Sequence, residues 1–525
     1  MRGLARLPFL AALVVAIVAL TAPASAGAFG PLSSFGSAGE GAGQMDRLED
    51  IAVAPDGNLY VADRGNNRVD VFSPQGQFLF AFGKGVNPTA GVGSPDICNA
   101  ETGCADAVAS DAAGGMNELH DLAIAPGGNV FVADSLNSRV DVFSPQGQFL
   151  YAFGKGVDPG GNNVCTGSCE AGEGVGAGGL SSPRGVALDS GRVYVVENAS
   201  KRVSVFTEAG GFLFAFGKGV NVSGMGDPDV CTITGCGEGD SNGAGGLLAP
   251  HGIEIAAGRV YVANTNNFRI EVFSTAGEFL FAFGKEVNPN GGDVCDRASG
   301  CLVGIGGGGP GVLGAPLAVA ADARGAIYVG GSGRRVNVFT PTGEFLRAFG
   351  LGVLDGATAF QQCTAITGCR AGALDALAPG SVRDPVGLAF DRDGALYVAE
   401  DESGKARVER FGEPPPVIAK PSNEFKLGKL RLNRKRGTAT LAVTVPGPGA
   451  LKLAGKGIRQ VKRAAARAGT VKLTVRLAGQ AKRKLLAAGK AKVQASVVFT
   501  PTGGEARAKR RALILKKTLR PAARR

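Results

Sequence analysis

Along most of this chain apolar and polar residues alternate in runs of five to seven, each closed by a turn signal. The stretch Asp50 to Lys84, DIAVAPDGNLYVADRGNNRVDVFSPQGQFLFAFGK, holds four such runs. A period of two puts successive side chains on opposite faces, which predicts strands rather than helices. Asp56-Gly57 and Gln75-Gly76 fall between runs, where tight turns require a positive φ.

The phrase recurs. Counting Ile51, Leu122, Val186, Ile253, Val319 and Leu388 as one internal position, the steps are 71, 64, 67, 66 and 69 residues. Four antiparallel strands per copy make a blade, and the spacing predicts an all-β, six-bladed β-propeller. The sixth copy stops at Gly412 after three strands, and Pro31 to Gly36 matches the missing fourth. Pairing the two ends would remove the exposed edges of a linear array.

Tyr60-Val61-Ala62-Asp63-Arg64-Gly65-Asn66-Asn67-Arg68-Val69-Asp70-Val71-Phe72 resembles the NHL repeat, and the likeness recurs from Pro31 to Gly412. The resemblance implies a propeller whose relatives include enzymes, sensor domains and interaction scaffolds, so fold alone does not assign function. The acid at Asp63, Asp134, Glu197 and Glu400 becomes Asn264 and Gly331 in the fourth and fifth copies. An arginine persists in all copies, at Arg68, Arg139, Arg202, Arg269, Arg335 and Arg407. Arginine and acid on adjacent strands are expected to form a structural pair.

Arg2 and Arg6 precede an apolar stretch, Leu7 to Leu20, and then Ala24-Ser25-Ala26. That order reads as a secretory signal over 1–26; an uncleaved anchor helix is the other reading. The ten cysteines agree with export. They form close pairs, Cys98 with Cys104, Cys165 with Cys169, Cys231 with Cys236, Cys295 with Cys301 and Cys363 with Cys369, one in each connection between blades. Such pairs in equivalent loops of an exported chain read as disulfides rather than zinc ligands. Strand parity sends all these Gly-rich flaps to one face, a usual place for binding.

The propeller is expected over 27–412, a Pro-rich linker over 413–424 and a second module over 425–525. Residues 417–525 carry 29 Lys and Arg against 2 acids, whereas 1–416 carry 27 basic and 43 acidic residues. The overall +11 conceals two halves of opposite sign. Apolar residues alternate with the charges in the C-terminal half, which predicts a small β-sandwich with a basic face, loosely similar to immunoglobulin-like modules. It is expected to be solvated, or to attach to anionic wall polymer or a membrane surface through salt-screened attraction. Phe425 and Phe499 are its only aromatics, too few for base stacking, and sequence-specific nucleic-acid binding is not expected.

Nucleophile elbow, phosphate loop and HExxH are all missing. One constellation stands out on aligning the residue just before each innermost strand: Glu49, His120, Arg184, His251, Leu317 and Val386. The only two histidines of the chain occupy equivalent positions. With Asp50 and Asp121 one residue further on, these are the candidate ligand-binding residues of a channel mouth. The amidating lyases, relatives in the propeller family, hold zinc with three channel histidines, and Pro250-His251-Gly252-Ile253 looks like one such segment. A third histidine does not exist, but Glu49 is an acceptable substitute. The sequence therefore reads as an exported scaffold binding a protein or carbohydrate ligand on its flap face, secreted or held at the cell envelope, with no cofactor expected and no catalytic residue assigned. The alternative is a lyase or hydrolase with zinc or a similar ion on Glu49, His120 and His251.

Overall fold

The computed structural model describes residues 29–89, 96–174, 176–373, 378–400, 406–413, 422–502 and 505–519. The expected leader and most of the Pro-rich linker lie outside these. The chain divides at residue 415 into two compact units.

The first unit is a set of six antiparallel sheets beside a two-residue parallel pairing. The first sheet runs Leu48–Val53, Leu59–Asp63, Arg68–Phe72, Phe78–Phe82 and Ile97–Cys98, and the next four repeat that order. The innermost strands (Leu48–Val53, Leu119–Ile124, Pro183–Asp189, Pro250–Ala256, Pro316–Ala321 and Pro385–Phe390) each pack on the next, and the last packs on the first. Among the described residues no sheet closes on itself; closure lies in the packing between sheets. A fifth strand carrying the first cysteine of each flap was not expected, because two residues are too short to show a period.

One aromatic contact recurs at every boundary between sheets. Phe82 meets Phe143 at 4.9 Å, Phe153 meets Phe206 at 5.0 Å, Phe216 meets Phe273 at 5.1 Å, Phe283 meets Phe339 at 5.0 Å and Phe349 meets Phe411 at 5.3 Å between ring centroids. The last boundary is made by Phe35 on Phe72 at 4.9 Å. Phe35 belongs to Gly30–Phe35, which pairs antiparallel with Arg407–Gly412 as the outer strand of the sixth sheet. Truncating one of these buried rings to Ala costs roughly 3–5 kcal/mol. Glycine makes room for them: Gly147 has φ +80°, and a Cβ there would lie 2.7 Å from Phe82.

All five expected disulfides are present. Each lies beside a buried arginine that ties two flaps together. Arg139 donates to the carbonyls of Asp111, Ala112 and Gly115 before its sheet and of Glu170 after it. The acceptor after the sheet is always the residue following the second cysteine: Ala105, Glu170, Gly237, Leu302 and Arg370. The repeated acid has a further task. Asp134 Oδ1 accepts the N–H of Asn117 at 2.8 Å, and Asn264 Oδ1 accepts that of Leu248 at 2.8 Å. An amide oxygen serves that N–H as well as a carboxylate does, which accounts for Asn264.

The second unit has a three-stranded sheet (Lys426–Asn433, Thr438–Val445, Gly469–Val475) and a four-stranded sheet (Val461–Ala465, Gly449–Ala454, Lys490–Pro501, Arg507–Lys516). Alternation sends Leu441, Val443, Leu453, Leu473, Val497 and Phe499 into one shared core. Lys452, Lys490, Lys492 and Arg510 stand exposed. A helix, Gly479–Ala488, buries Leu485 and ends on Gly489 at φ +65°.

Candidate metal centre

Glu49, His120, Arg184, His251, Leu317 and Val386 do not precede the innermost strands; they lie inside them, as the second residue of each. The ladder skips there: Leu48 pairs with Asp63 and Asp50 with Ala62, leaving Glu49 as the extra residue of a β-bulge, and Arg184 is bulged in the same way. A bulge turns a side chain away from the sheet it belongs to. In the first four sheets the chain enters through a left-handed residue, Arg47, Glu118, Ser182 or Ala249.

Three of the bulged residues converge. One ligand atom from each of Glu49, His120 and His251 lies within 4.8 Å of the others. Glu49 Oε2 is 3.3 Å from His120 Nδ1 and 3.7 Å from His251 Nε2, while Oε1 accepts from Arg64 at 2.7 Å. The imidazole rings meet edge to face with centroids 5.5 Å apart. Both nitrogens of His120 are buried without a hydrogen bond.

All three line a cavity of about 330 Å³ between the innermost strands. Asp50 and Asp121, one residue further along their strands, also lie in its wall and hydrogen-bond to each other. Asp50 also accepts from Leu122 N at 3.4 Å and Asp121 from Val186 N at 3.1 Å, so each carboxyl bridges to the next sheet. Leu317 and Val386 form the apolar side. Arg184 shares the register but is not among the residues of the cavity wall. Sequence reasoning missed Arg64, Glu118 and Glu254. Arg64 sits in a turn of the NHL-like run and also reaches Glu118 at 3.2 Å. Glu254 lines the cavity, yet in the sequence it is one polar residue in an alternating strand.

Protonation states follow from these surroundings. Burial alone would raise Glu49, but the contact with His120 and the charges of His120, His251 and Arg64 outweigh it and hold the carboxyl at about 2. Burial pushes His251 down to about 3, against the pull of Glu49. At neutral pH the group thus offers a carboxylate and a neutral imidazole, the forms that bind metal. Burial and the neighbouring Asp121 raise Asp50 well above the carboxylate range, so the pair shares a proton. Burial, then Asp121, raises Glu254 to about 8.

The NHL repeat is matched over residues 45–72, the stretch that carries Glu49, Asp63 and Arg68. The fold is of β-propeller type, and that stretch of it carries an NHL repeat. The chain is 25% identical over 185 residues to protein brain tumor of Drosophila melanogaster, covering 35% of this chain and 14% of that protein. It is 48% identical over 48 residues to the E3 ubiquitin-protein ligase TRIM71 of Rattus norvegicus, 9% of this chain and 6% of that one. The match thus spans only a small part of either relative. Among solved structures, a streptogramin B lyase superposes with a TM-score of 0.40 at 12% identity, covering 74% of this chain and 98% of that one.

The donor set suits a divalent ion of the zinc class. Two imidazoles and one carboxylate are a usual three-ligand set for catalytic zinc, and His120 Nε2 is buried without a hydrogen-bond partner.

Proposed function

We propose that the protein is an exported six-bladed NHL-type propeller acting as an interaction scaffold, with a C-terminal immunoglobulin-like β-sandwich that holds it to anionic envelope material. The observation that carries this reading is the flap face. Met225, Ile233 and Ile366 are 77, 78 and 98% exposed on flaps that disulfides and buried arginines hold in place. Apolar side chains displayed on braced loops mark a surface for a protein or carbohydrate partner. Five disulfides in the flaps favour an extracellular or envelope location. The test compares retention of the intact protein and a Met225→Asp, Ile233→Asp, Ile366→Asp variant on envelope proteins and glycans of the producing cell. The reading requires at least a tenfold loss with unchanged melting; equal retention refutes it.

A second reading, a lyase or hydrolase in the funnel, is favoured by the convergence of Glu49, His120 and His251. A zinc-class ion on these residues would supply Lewis acidity and lower the pKa of a bound water. Arg64, clamped between Glu49 and Glu118, keeps Glu49 Oε2 turned toward the histidines. The aliphatic wall from Leu317 and Val386 excludes water from one side of the cavity.

A further inference from the structure

The second unit is polarised from end to end. The only acidic residues of 417–525, Glu424 and Glu505, lie together at one end. Glu424 pairs there with Arg507 and, at 3.4 Å, with Lys509, and Asn423 donates to the carbonyl of Glu505 at 3.2 Å. The chain enters the unit at this end, and the strand Arg507–Lys516 leads away from it to the opposite one.

At the opposite end three turns meet the helix Gly479–Ala488 and the residues after the last strand. A Cβ on Gly437 would lie 3.1 Å from Leu485 Cδ2, one on Gly457 2.6 Å from Ala481 Cβ, and one on Gly489 3.5 Å from Leu519 Cδ1. Thr518 N donates to Arg434 O at 3.0 Å and Lys517 N to Gly489 O at 2.8 Å, which ties the end of the last strand to two of those turns. Among the described residues, every exposed large aliphatic side chain of the unit is found here: Leu432, Leu486, Ile514 and Leu519. Exposed cations surround them, Arg434, Lys435 and Arg436 in one turn and Lys482, Arg483 and Lys484 on the helix. No acidic side chain answers these cations, because both acids of the unit stand at the far end.

A soluble polyanion would neutralise the cations and leave the aliphatic groups in water. A bilayer interface takes both: anionic head groups draw the basic residues, whose stems lie along the surface, and the acyl boundary receives Leu and Ile. We propose that this end of the second unit seats on a membrane surface containing anionic lipid, with Leu486, Ile514 and Leu519 entering the interface. This rests on the first reading above and narrows its anionic envelope material to lipid.

The test uses the chain from Gly27 onward with vesicles of phosphatidylcholine, alone or with one third phosphatidylglycerol, and with inorganic polyphosphate as a polyanion that has no apolar part. The parent should bind polyphosphate and the mixed vesicles, and the vesicles without phosphatidylglycerol at least tenfold more weakly. A Leu486→Ser, Ile514→Ser, Leu519→Ser variant, unchanged in charge and melting temperature, should lose at least tenfold in affinity for the mixed vesicles and keep its hold on polyphosphate. Because the chain has no tryptophan, Leu519→Trp is a single reporter, whose emission should shift to the blue on mixed vesicles and not on polyphosphate. Equal vesicle affinity in parent and triple variant, or an unshifted emission, overturns the lipid seat and leaves an anionic polymer as the partner of the basic unit. A parent that binds neither vesicles nor polyphosphate overturns the lipid seat and the attachment role together. If the triple variant melts early, the tryptophan emission decides alone, its blue shift supporting the seat and its absence overturning it.

Discussion

Nε of Arg139 donates to Oδ2 of Asp141 at 3.0 Å, with both side chains fully buried. At the same two positions of the fifth sheet Arg335 stands beside Asn337. There Arg335 Nε and Asn337 Oδ1 are both buried without partners, and burial pushes Arg335 down to about 10. The fifth sheet thus holds a desolvated charge that the first and second sheets neutralise.

Asn337→Asp should therefore stabilise the first unit. An unpaired buried charge is costly, and completing a hydrogen-bonded pair removes part of that cost. The expected gain is about 1–2 kcal/mol at neutral pH, measured by urea unfolding. A loss of stability would mean that the site cannot desolvate a second charge.

The pairing of disulfide and arginine separates local from global effects. Arg139 already holds the carbonyl of Glu170 beside Cys169, so the Cys165–Cys169 bridge is one of two restraints on that flap. Replacing both cysteines by Ser should lower unfolding free energy by about 2 kcal/mol or less, the loop-closure value for so short a loop. Amide exchange in the flap should quicken by more than tenfold, because local opening needs only local restraints to go. Unchanged exchange would assign the flap's rigidity to Arg139 alone.

Repeat, strand alternation and sixth-sheet closure were all legible because each is written several times or at both chain ends. Phe35-Gly36 reads like Phe82-Gly83 and takes the same place against the next sheet. The bulge that aims Glu49, His120 and His251 was not legible, since it depends on how Asp50 pairs across to Ala62, a relation that no local pattern encodes. The role of Asp63 and its equivalents was half legible: arginine and acid do approach, at 3.5 Å for Arg68 and Asp63, but most guanidinium donors go to flap carbonyls. Glu254 gave no signal, because its burial comes from strands of other sheets.

Phe29, just ahead of the strand Gly30–Phe35, matters more than strand matching suggested. Phe29 packs on Phe349 at 5.0 Å, lies under Arg347 at 4.6 Å and accepts from Gln362 through its carbonyl at 3.1 Å. Phe29→Ala should thus destabilise the first unit by about 2–3 kcal/mol. Deleting through Gly36 should cost more, since it also bares the edge of Arg407–Gly412. Calorimetry of the two variants checks the order; indifference to Phe29→Ala would refute the anchoring role.

The charge of the second unit predicts how binding responds to salt. The intact chain should bind an anionic polymer with an affinity that falls steeply as salt rises, because each neutralised charge releases a counterion. A chain ending at residue 415 should not bind. Affinity that ignores salt, or that survives the truncation, would move the interaction away from the basic unit.

Glu254 gives the funnel a pH dependence of definite sign. Its carboxyl titrates near 4.5 when free and at about 8 in the folded chain, so between those values the native state holds a proton that the unfolded state has lost. Unfolding free energy must then fall as pH rises through that window. His251 works in the opposite sense: with a folded value of about 3 against 6.5, it withdraws stability as pH falls from 6.5 toward 3. Comparing the parent with Glu254→Gln at each pH cancels the histidine and isolates the carboxyl. The variant should match the parent's pH trend near pH 4.5 and gain on it progressively toward pH 8, by on the order of 2 kcal/mol. The funnel would then hold a neutral acid at physiological pH beside the Asp50 and Asp121 pair. A stability difference that is flat across pH 4.5 to 8 would show that Glu254 ionises freely and that water reaches it.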